Sequence, residues 1–362
     1  MRGRSSTEGA AVNEITLVGV DLGKHVFHVC CQDGSGHAVM RKKVARSQIF
    51  EFFGNLPPCT VAMEACPGSH FLSRQVARMG HAPRLISPRF VRAFVKNNKN
   101  DFIDAEAICE AASRPTMRFV SPKTEEQQTI SALHRVRQAL VRERVVLNNQ
   151  IQAFLLEFGI AASRGMFTAQ RLALVTGEGQ LPMGMASLLR QLEQRSAQAG
   201  AAIRDLEKHM TRLLNGDPAG QRLLSIPGIG PITASALIGE LGNGSQFSCG
   251  RDFAASLGLT PRQRSTGGVV TLIGISKRGD KDLRTLLVLC ARLYMFRLPK
   301  ESGPLAEWVR ALSARRPSSV VACALANKFA RIAWAIVARN SQFEVHHLRR
   351  NELAKGLSTA QD

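Results

Sequence analysis

Residues 15–32 read ITLVGVDLGKHVFHVCCQ, and this stretch decides the fold. Its first seven residues are an apolar run that closes on an acid, Asp21. After Leu-Gly-Lys a second run begins, VFHVCCQ (26–32), and the turn DGSG (33–36) leads to a third, HAVMRKKV (37–44). Apolar, β-branched-rich runs of this length, bounded by Gly, Asp and Ser, are strands joined by tight turns. Ser47 is a fair N-cap for a helix. TVAME (60–64) is a further buried strand that again closes on an acid, Glu64. Pro67-Gly68 breaks it, and an amphipathic stretch runs to Met79. APRLI (82–86) is a fifth strand, and helical patterns cover 89–96 and 101–113.

The order is three strands, helix, strand, helix, strand, helix, which is that of an RNase H-like sheet. We therefore expect an α/β domain over 15–123. Residues 114–123, with Pro115 and Pro122, read as a linker. A long helical pattern then runs from Glu125 to Phe158, with Leu133, Leu140, Leu147 and Phe154 seven residues apart. A loop with several glycines separates it from a second long pattern. There Met185, Leu189, Leu192, Ser196, Ala199, Ile203, Leu206, Met210 and Leu213 alternate spacings of four and three, the a/d seam of a coiled coil. Gly200 weakens that helix by roughly 1 kcal/mol. The pair reads either as an antiparallel coiled-coil hairpin that joins protomers or as two helices of an ordinary bundle. The remainder reads as helical, with a turn-rich insertion at 260–280. The expected domains are a disordered leader (1–14), the α/β domain (15–123), a coiled-coil region (124–216), a mostly helical domain (217–345) and a polar tail (346–362).

The chain has 362 residues and a formal net charge of +20. Residues 1–123 carry 17 basic and 10 acidic side chains, 124–216 carry 11 and 8, and 217–362 carry 20 and 10. Both ends are basic and the middle is nearly balanced, which fits two nucleic-acid-facing domains around an assembly element. The eight cysteines form no CxxC pair and precede no His-x3–5-His, so zinc is not expected; they read as reduced thiols of a cytosolic protein. No apolar run reaches the roughly 18 residues of a membrane span, and no membrane partner is expected.

Asp21 and Glu64 close strands that neighbour one another in such a sheet. Asp101 and Asp104 are spaced i, i+3, on one face of a helix. Four converging carboxylates repel unless divalent cations neutralise them. Hard oxygen ligands suit Mg²⁺ or Mn²⁺, and a pair of such ions can clamp the attacking and leaving oxygens of a phosphodiester.

The second half carries two further signatures. Ile226-Pro227-Gly228-Ile229-Gly230 between two helices resembles a helix-hairpin-helix, whose glycines let backbone N–H groups approach a phosphate. The same residues also read as a plain turn between packed helices. The segment 257–287 holds Arg262, Arg264, Ser265, Thr266, Gly267 and Gly268, then Lys277, Arg278 and Lys281. A small hydroxyl beside paired glycines and cations suits a phosphoryl-transfer nucleophile. It reads equally as a phosphate-binding turn, with Ser276 a second hydroxyl that caps a helix or holds phosphate.

GVDLGK (19–24), AMEACPGS (62–69) and KNDFIDAEAI (99–108) resemble the RuvC-like catalytic domain of the bridge-RNA-guided transposases of insertion-sequence family 110. The pilin-inverting recombinases are relatives. SIPGIGPITASALIGELG, FAASLGLTPRQRSTGG and GISKRGDKDLRTLL resemble that family's transposase domain, most closely its 1111-type subgroup. The resemblance implies a metal-binding catalytic quartet on Asp21, Glu64, Asp101 and Asp104 and a nucleophile in the Ser265-Thr266 pair, for which Ser265 is the choice. It also implies donor and target DNA, a structured guide RNA, dimers assembling to a tetramer, and a covalent phosphoserine–DNA intermediate. The expected setting is the prokaryotic cytoplasm, at the nucleoid. The rival readings are a RuvC-like junction nuclease acting by metal-dependent hydrolysis, a nucleic-acid-binding scaffold without catalysis, and an actin-like ATPase.

Overall fold

A computed structural model describes residues 14–95, 100–161 and 181–343. The expected leader (but for its last residue), most of the glycine-containing loop and the tail lie outside the described residues. The chain divides after Thr124 into two compact units.

The first unit contains β1 (Leu17–Leu22), β2 (Val26–Gln32), β3 (Ala38–Ala45), α1 (Ile49–Gly54), β4 (Thr60–Glu64), α2 (Ser69–Arg78), β5 (Ala82–Ile86), α3 (Pro88–Val91), α4 (Asp101–Ala112) and β6 (Phe119–Val120). The sheet order is β3-β2-β1-β4-β5-β6. β1, β2 and β3 form an antiparallel meander, and β4 and β5 continue parallel to β1. The expected linker at 114–123 is not wholly irregular. Phe119 and Val120 pair with Ile86 and Leu85, so β5 is not left as an open edge. Two residues are too few to carry a strand pattern in the sequence.

Side chains alternate across the sheet. Val18, Val20, Val61 and Met63 pack with Ile49 and Phe53 of α1 and Leu72 and Val76 of α2. The intervening positions in β1 and β4 are the small residues Gly19 and Ala62, and α4 lies over them. Large residues thus face one helical layer and small ones the other.

The second unit begins with two 33-residue helices, α5 (Glu125–Glu157) and α6 (Met183–Asn215). They run antiparallel: Arg137 Nε donates to Glu207 at 2.8 Å, Arg195 donates to Glu143 at 3.2 Å, and Ser196 donates to Asn148 at 2.7 Å. Along α6 the buried residues include Leu189, Ser196, Ala199, Ile203 and Met210, but the last is Leu214 rather than Leu213. A straight helix drifts by about 20° per heptad against a 3.5-residue repeat, which carries Leu214 inward by the fourth heptad. Leu214 packs where a Cβ on Gly220 would stand.

Next come α7 (Pro218–Leu223), α8 (Pro231–Leu241), α9 (Gly250–Ser256), β7 (Pro261–Thr266), β8 (Val269–Ile275), α10 (Lys281–Arg297), α11 (Pro304–Ser313) and α12 (Ser318–Ala338). The insertion at 260–280 is therefore a β-hairpin. Its turn is Gly267-Gly268, both with positive φ, as the two-residue turn that matches strand twist requires. α12 corrects the sequence expectation about apolar runs, because it is long and apolar enough to cross a membrane by length and composition. Asn327, Lys328 and Arg331 interrupt the run, so a count of consecutive apolar residues misses it. Its apolar side, including Val321, Leu325, Phe329 and Ala333, lies in the largest core of the unit.

His134 of α5 is held against α8, its Nε2 2.9 Å from Ser235 Oγ. Burial, with the charge of Arg137, pushes its pKa down to about 4 from 6.5. Between these values the unfolded chain takes up a proton that the folded chain refuses, so stability falls as pH falls from about 6.5 towards 4. Thermal melts should lose more between pH 7 and pH 4.5 in wild type than in His134→Gln, by up to about one proton in slope. Equal pH dependence in the two proteins would refute this assignment.

Candidate active site

The acidic site grows out of the small-residue face of the first sheet. A Cβ on Gly19 would fall on the carbonyl oxygen of Ala105 and on Cys109 Sγ, so α4 touches the β1 backbone. Cys109 Sγ donates to the Cys30 carbonyl at 3.4 Å, and Arg41 of β3 pairs with Glu106 of α4. Asn100 caps the helix, its side chain accepting from Phe102 N at 3.1 Å. Asp101 and Asp104 occupy the first turn, where the helix N-terminus favours negative charge.

The strand register supplies the other carboxylates. Val20 is level with Met63 in the parallel β1–β4 pair, so Asp21 and Glu64 follow at the same height and on the α4 side. The β1–β2 turn below Asp21 is tight. A Cβ on Gly23 would meet the Val26 carbonyl, and Arg46 clamps the turn by donating to the carbonyls of Lys24 (2.8 Å) and Gly23 (3.1 Å). Burial pushes the Cys66 thiol pKa up, and the charges of Glu64 and Asp21 push it further.

Ligating atoms of Asp21, His28 and Asp101 all lie within 4.8 Å of one another. His28 stands opposite Asp21 on β2. Its Nδ1 is 3.5 Å from Asp101 Oδ2, and its ring meets Phe102 edge-on with centroids 4.9 Å apart. The His28 side chain is 14% exposed and that of Asp101 58%. Two carboxylates and an imidazole make a donor set that fits a divalent cation. Of the four expected acids, Asp21 and Asp101 share this cluster. Glu64 is level with Asp21 on the neighbouring strand, and Asp104 follows Asp101 by one turn.

In the second unit Arg262, Arg264, Ser265 and Thr266 lie on β7, and Gly267 and Gly268 form its turn; all six are exposed. Ser265 pairs with Val270 and Thr266 with Val269, so the two hydroxyls project to opposite faces of the hairpin. Thr266 shares its face with Arg264 and Arg262. Ser265 shares the other face with Gln263, whose side chain donates to Ser265 Oγ at 2.6 Å.

The hairpin base is built with little tolerance. A Cβ on Gly279 would fall on the Ser256 carbonyl, and one on Gly258 on the Arg278 backbone. Lys277 adopts a positive φ of 55°. Asp280, not Ser276, caps α10, accepting from the N–H groups of Asp282 and Leu283, while Ser276 N donates to Thr260 O. Buried Arg284 donates to the carbonyls of Leu257 (2.7 Å) and Arg278 (3.1 Å). Lys281 opens α10 at the surface. The two turn glycines after α7 differ. Gly228 has a φ of 87° and would place a Cβ 3.4 Å from the Cys290 carbonyl, whereas Gly230 opens on empty space.

Residues 18–160 match the DEDD-type transposase profile of the IS110 group, and residues 220–303 match the profile described as Transposase IS116/IS110/IS902 family. The chain belongs to the IS110 family of insertion-sequence transposases. It is 56% identical to the transposase for insertion sequence element IS1328 of Yersinia enterocolitica, over 91% of this chain and 98% of that protein. It is 38% identical to the transposase for insertion sequence element IS1111A of Coxiella burnetii, over 92% of each. The pilin gene-inverting protein of Moraxella bovis is 28% identical over 40% of this chain and 45% of its own.

Three residues, His28 and Gly19 in the first unit and Arg284 in the second, escape a motif reading. His28 sits inside an apolar strand, where only its alternation with Phe27 and Val29 betrays its face. Arg284 reads as one more cation but is buried in the service of carbonyls. Gly19 reads as a strand glycine, and only the packing shows that it sets the height of α4. Replacing Gly19 with Ala should cost about 1–3 kcal/mol through overpacking against α4. It should also lower DNA cleavage, because the first turn of α4 carries Asp101 and Asp104. A Gly19→Ala protein with unchanged melting temperature and unchanged cleavage would refute the role given to this contact.

Proposed function

We propose that this transposase carries out metal-dependent, site-specific strand cleavage and exchange on DNA, with Asp21, Glu64, Asp101 and Asp104 as its metal-binding quartet. The observation that carries the reading is the convergence of Asp21 and Asp101, from β1 and α4, on one centre with His28. Mg²⁺ or Mn²⁺ held there supplies positive charge to a scissile phosphate.

The chain's own part in the chemistry is nucleophilic. Ser265 Oγ attacks the phosphorus, forming a Ser–O–P bond and breaking the bond to a deoxyribose oxygen, which leaves as a hydroxyl. The serine proton is lost and the leaving oxygen gains one. After strand exchange the hydroxyl of the new strand reverses the attack. Gln263 donates to Ser265 Oγ and so leaves the serine's own proton free to depart. A second reading takes Thr266 as the nucleophile, because it shares its hairpin face with Arg262 and Arg264.

Around this centre the first unit acts as a RuvC-like domain. The α5–α6 pair acts as a coiled coil joining protomers into dimers and tetramers, so that Ser265 reaches the acids of a neighbour. The element's structured RNA guides the complex to donor and target DNA in the bacterial cytoplasm. Lys277, Arg278 and Lys281 contact backbone phosphates near the hairpin, and the Gly228–Gly230 turn acts as a helix-hairpin-helix. Simple hydrolysis by the acids alone is the alternative chemistry.

Covalent trapping on element DNA separates these readings. Wild type and Thr266→Ala should yield a denaturant-resistant protein–DNA adduct, and Ser265→Ala none. The reverse pattern would move the nucleophile to Thr266. Cleaved DNA without an adduct in any protein would establish hydrolysis instead. Asp21→Asn should lose cleavage by several orders of magnitude while binding RNA as wild type does.

A further inference from the structure

His28 lies outside the acidic quartet, yet it stands closer to the centre than a structural histidine needs to. Its place is fixed by two independent constraints. The antiparallel β1–β2 register sets it directly opposite Asp21. Cys30, two residues on, packs against Ala105 and Cys109 of α4, so His28 faces α4 as well. Phe102 then holds the ring edge-on.

The separation between His28 Nδ1 and Asp101 Oδ2, 3.5 Å, is long for a hydrogen bond, which for N–H···O spans about 2.7–3.2 Å. Ligands about 2.0–2.2 Å from a common ion stand roughly 3 Å apart when adjacent and about 4.3 Å apart when opposite. The three ligating atoms within 4.8 Å approach that spacing and need only a small side-chain closure to reach it. The ring is largely shielded from solvent, so little water competes for its nitrogen.

We infer that His28 supplies a nitrogen ligand to the divalent ion held by Asp21 and Asp101, which makes the centre prefer a first-row transition ion over Mg²⁺. This rests on the metal-dependent reading above. Imidazole is a softer donor than carboxylate, and it adds to the affinity for Mn²⁺ and its neighbours more than to that for Mg²⁺. A centre of carboxylates alone has the same bias in weaker form.

The test uses the full chain, with and without ¹⁵N-labelled histidine, loaded with Mn²⁺ and measured by pulsed electron paramagnetic resonance. Bound Mn²⁺ should show nitrogen modulation that changes on histidine labelling and disappears in His28→Gln. Calorimetry should show Mn²⁺ affinity falling about tenfold or more in His28→Gln, with a much smaller change for Mg²⁺. The labelled wild-type spectrum gives an answer even if the variant folds poorly. Mn²⁺ binding that Asp21→Asn abolishes, but that carries no histidine nitrogen signal, would overturn the role of His28 and leave the metal-dependent reading standing. A nitrogen signal that persists in folded His28→Gln would also overturn it. Absence of any Asp21-dependent Mn²⁺ binding would overturn both.

Discussion

The first unit depends on how closely α4 can approach the sheet. A helix over a sheet normally rests on side chains, but here Gly19 presents bare backbone and Ala105 and Cys109 close directly on it. That contact fixes the height of α4, and with it the height of Asp101 and Asp104. Their capped helix start lies beside the strand ends that carry Asp21 and Glu64. The same approach brings Phe102 against His28. The large residues Val18, Val20, Val61 and Met63 stabilise the opposite face, where no chemistry constrains them.

The second unit solves a different problem. Its hairpin is exposed along β7 and most of β8, so no core holds it in place. Rigidity has to come from the base. Gly258 and Gly279 let the two ends of the hairpin close on the end of α9, and Arg284 satisfies the carbonyls that this closure buries. The Asp280 cap then starts α10 immediately after the return strand. Two of the cations that read as nucleic-acid contacts, Lys277 and Arg278, thus have backbones committed to this junction, while both residues stay exposed.

Much of the fold was legible in the sequence because its signals are local. The five longer strands follow from short apolar runs between turn residues, and their order follows from the helices between them. What was not legible depends on contacts distant in sequence. β6 is two residues that become a strand only beside β5. Leu214 replaces Leu213 in the seam because the helix drifts against its repeat and meets Gly220. α12 hides its length behind Asn327, Lys328 and Arg331. The acids stood out because Asp21 and Glu64 lie at strand ends and Asp101 and Asp104 in the first turn of a helix. His28 did not, since one polar residue in a strand is informative only once its facing helix is known.

The hairpin turn gives the proposed choice of Ser265 over Thr266 a physical form. A two-residue turn with both φ values positive fixes the register of β7 against β8, and a slip of one residue would exchange the two faces. In sequence Ser265 and Thr266 are neighbours and nearly equivalent. In the hairpin they are not interchangeable, because one stands with Gln263, Val270 and Leu272 and the other with Arg262, Arg264 and Val269. A phosphate that met the arginine face would find the threonine, and one that met the glutamine face would find the serine. Electrostatics favours the first approach, and the weaker steric demand of an unbranched hydroxyl favours the second. Under the proposed mechanism the hairpin face that meets the scissile phosphate selects the hydroxyl, because the register holds Ser265 on one face and Thr266 on the other.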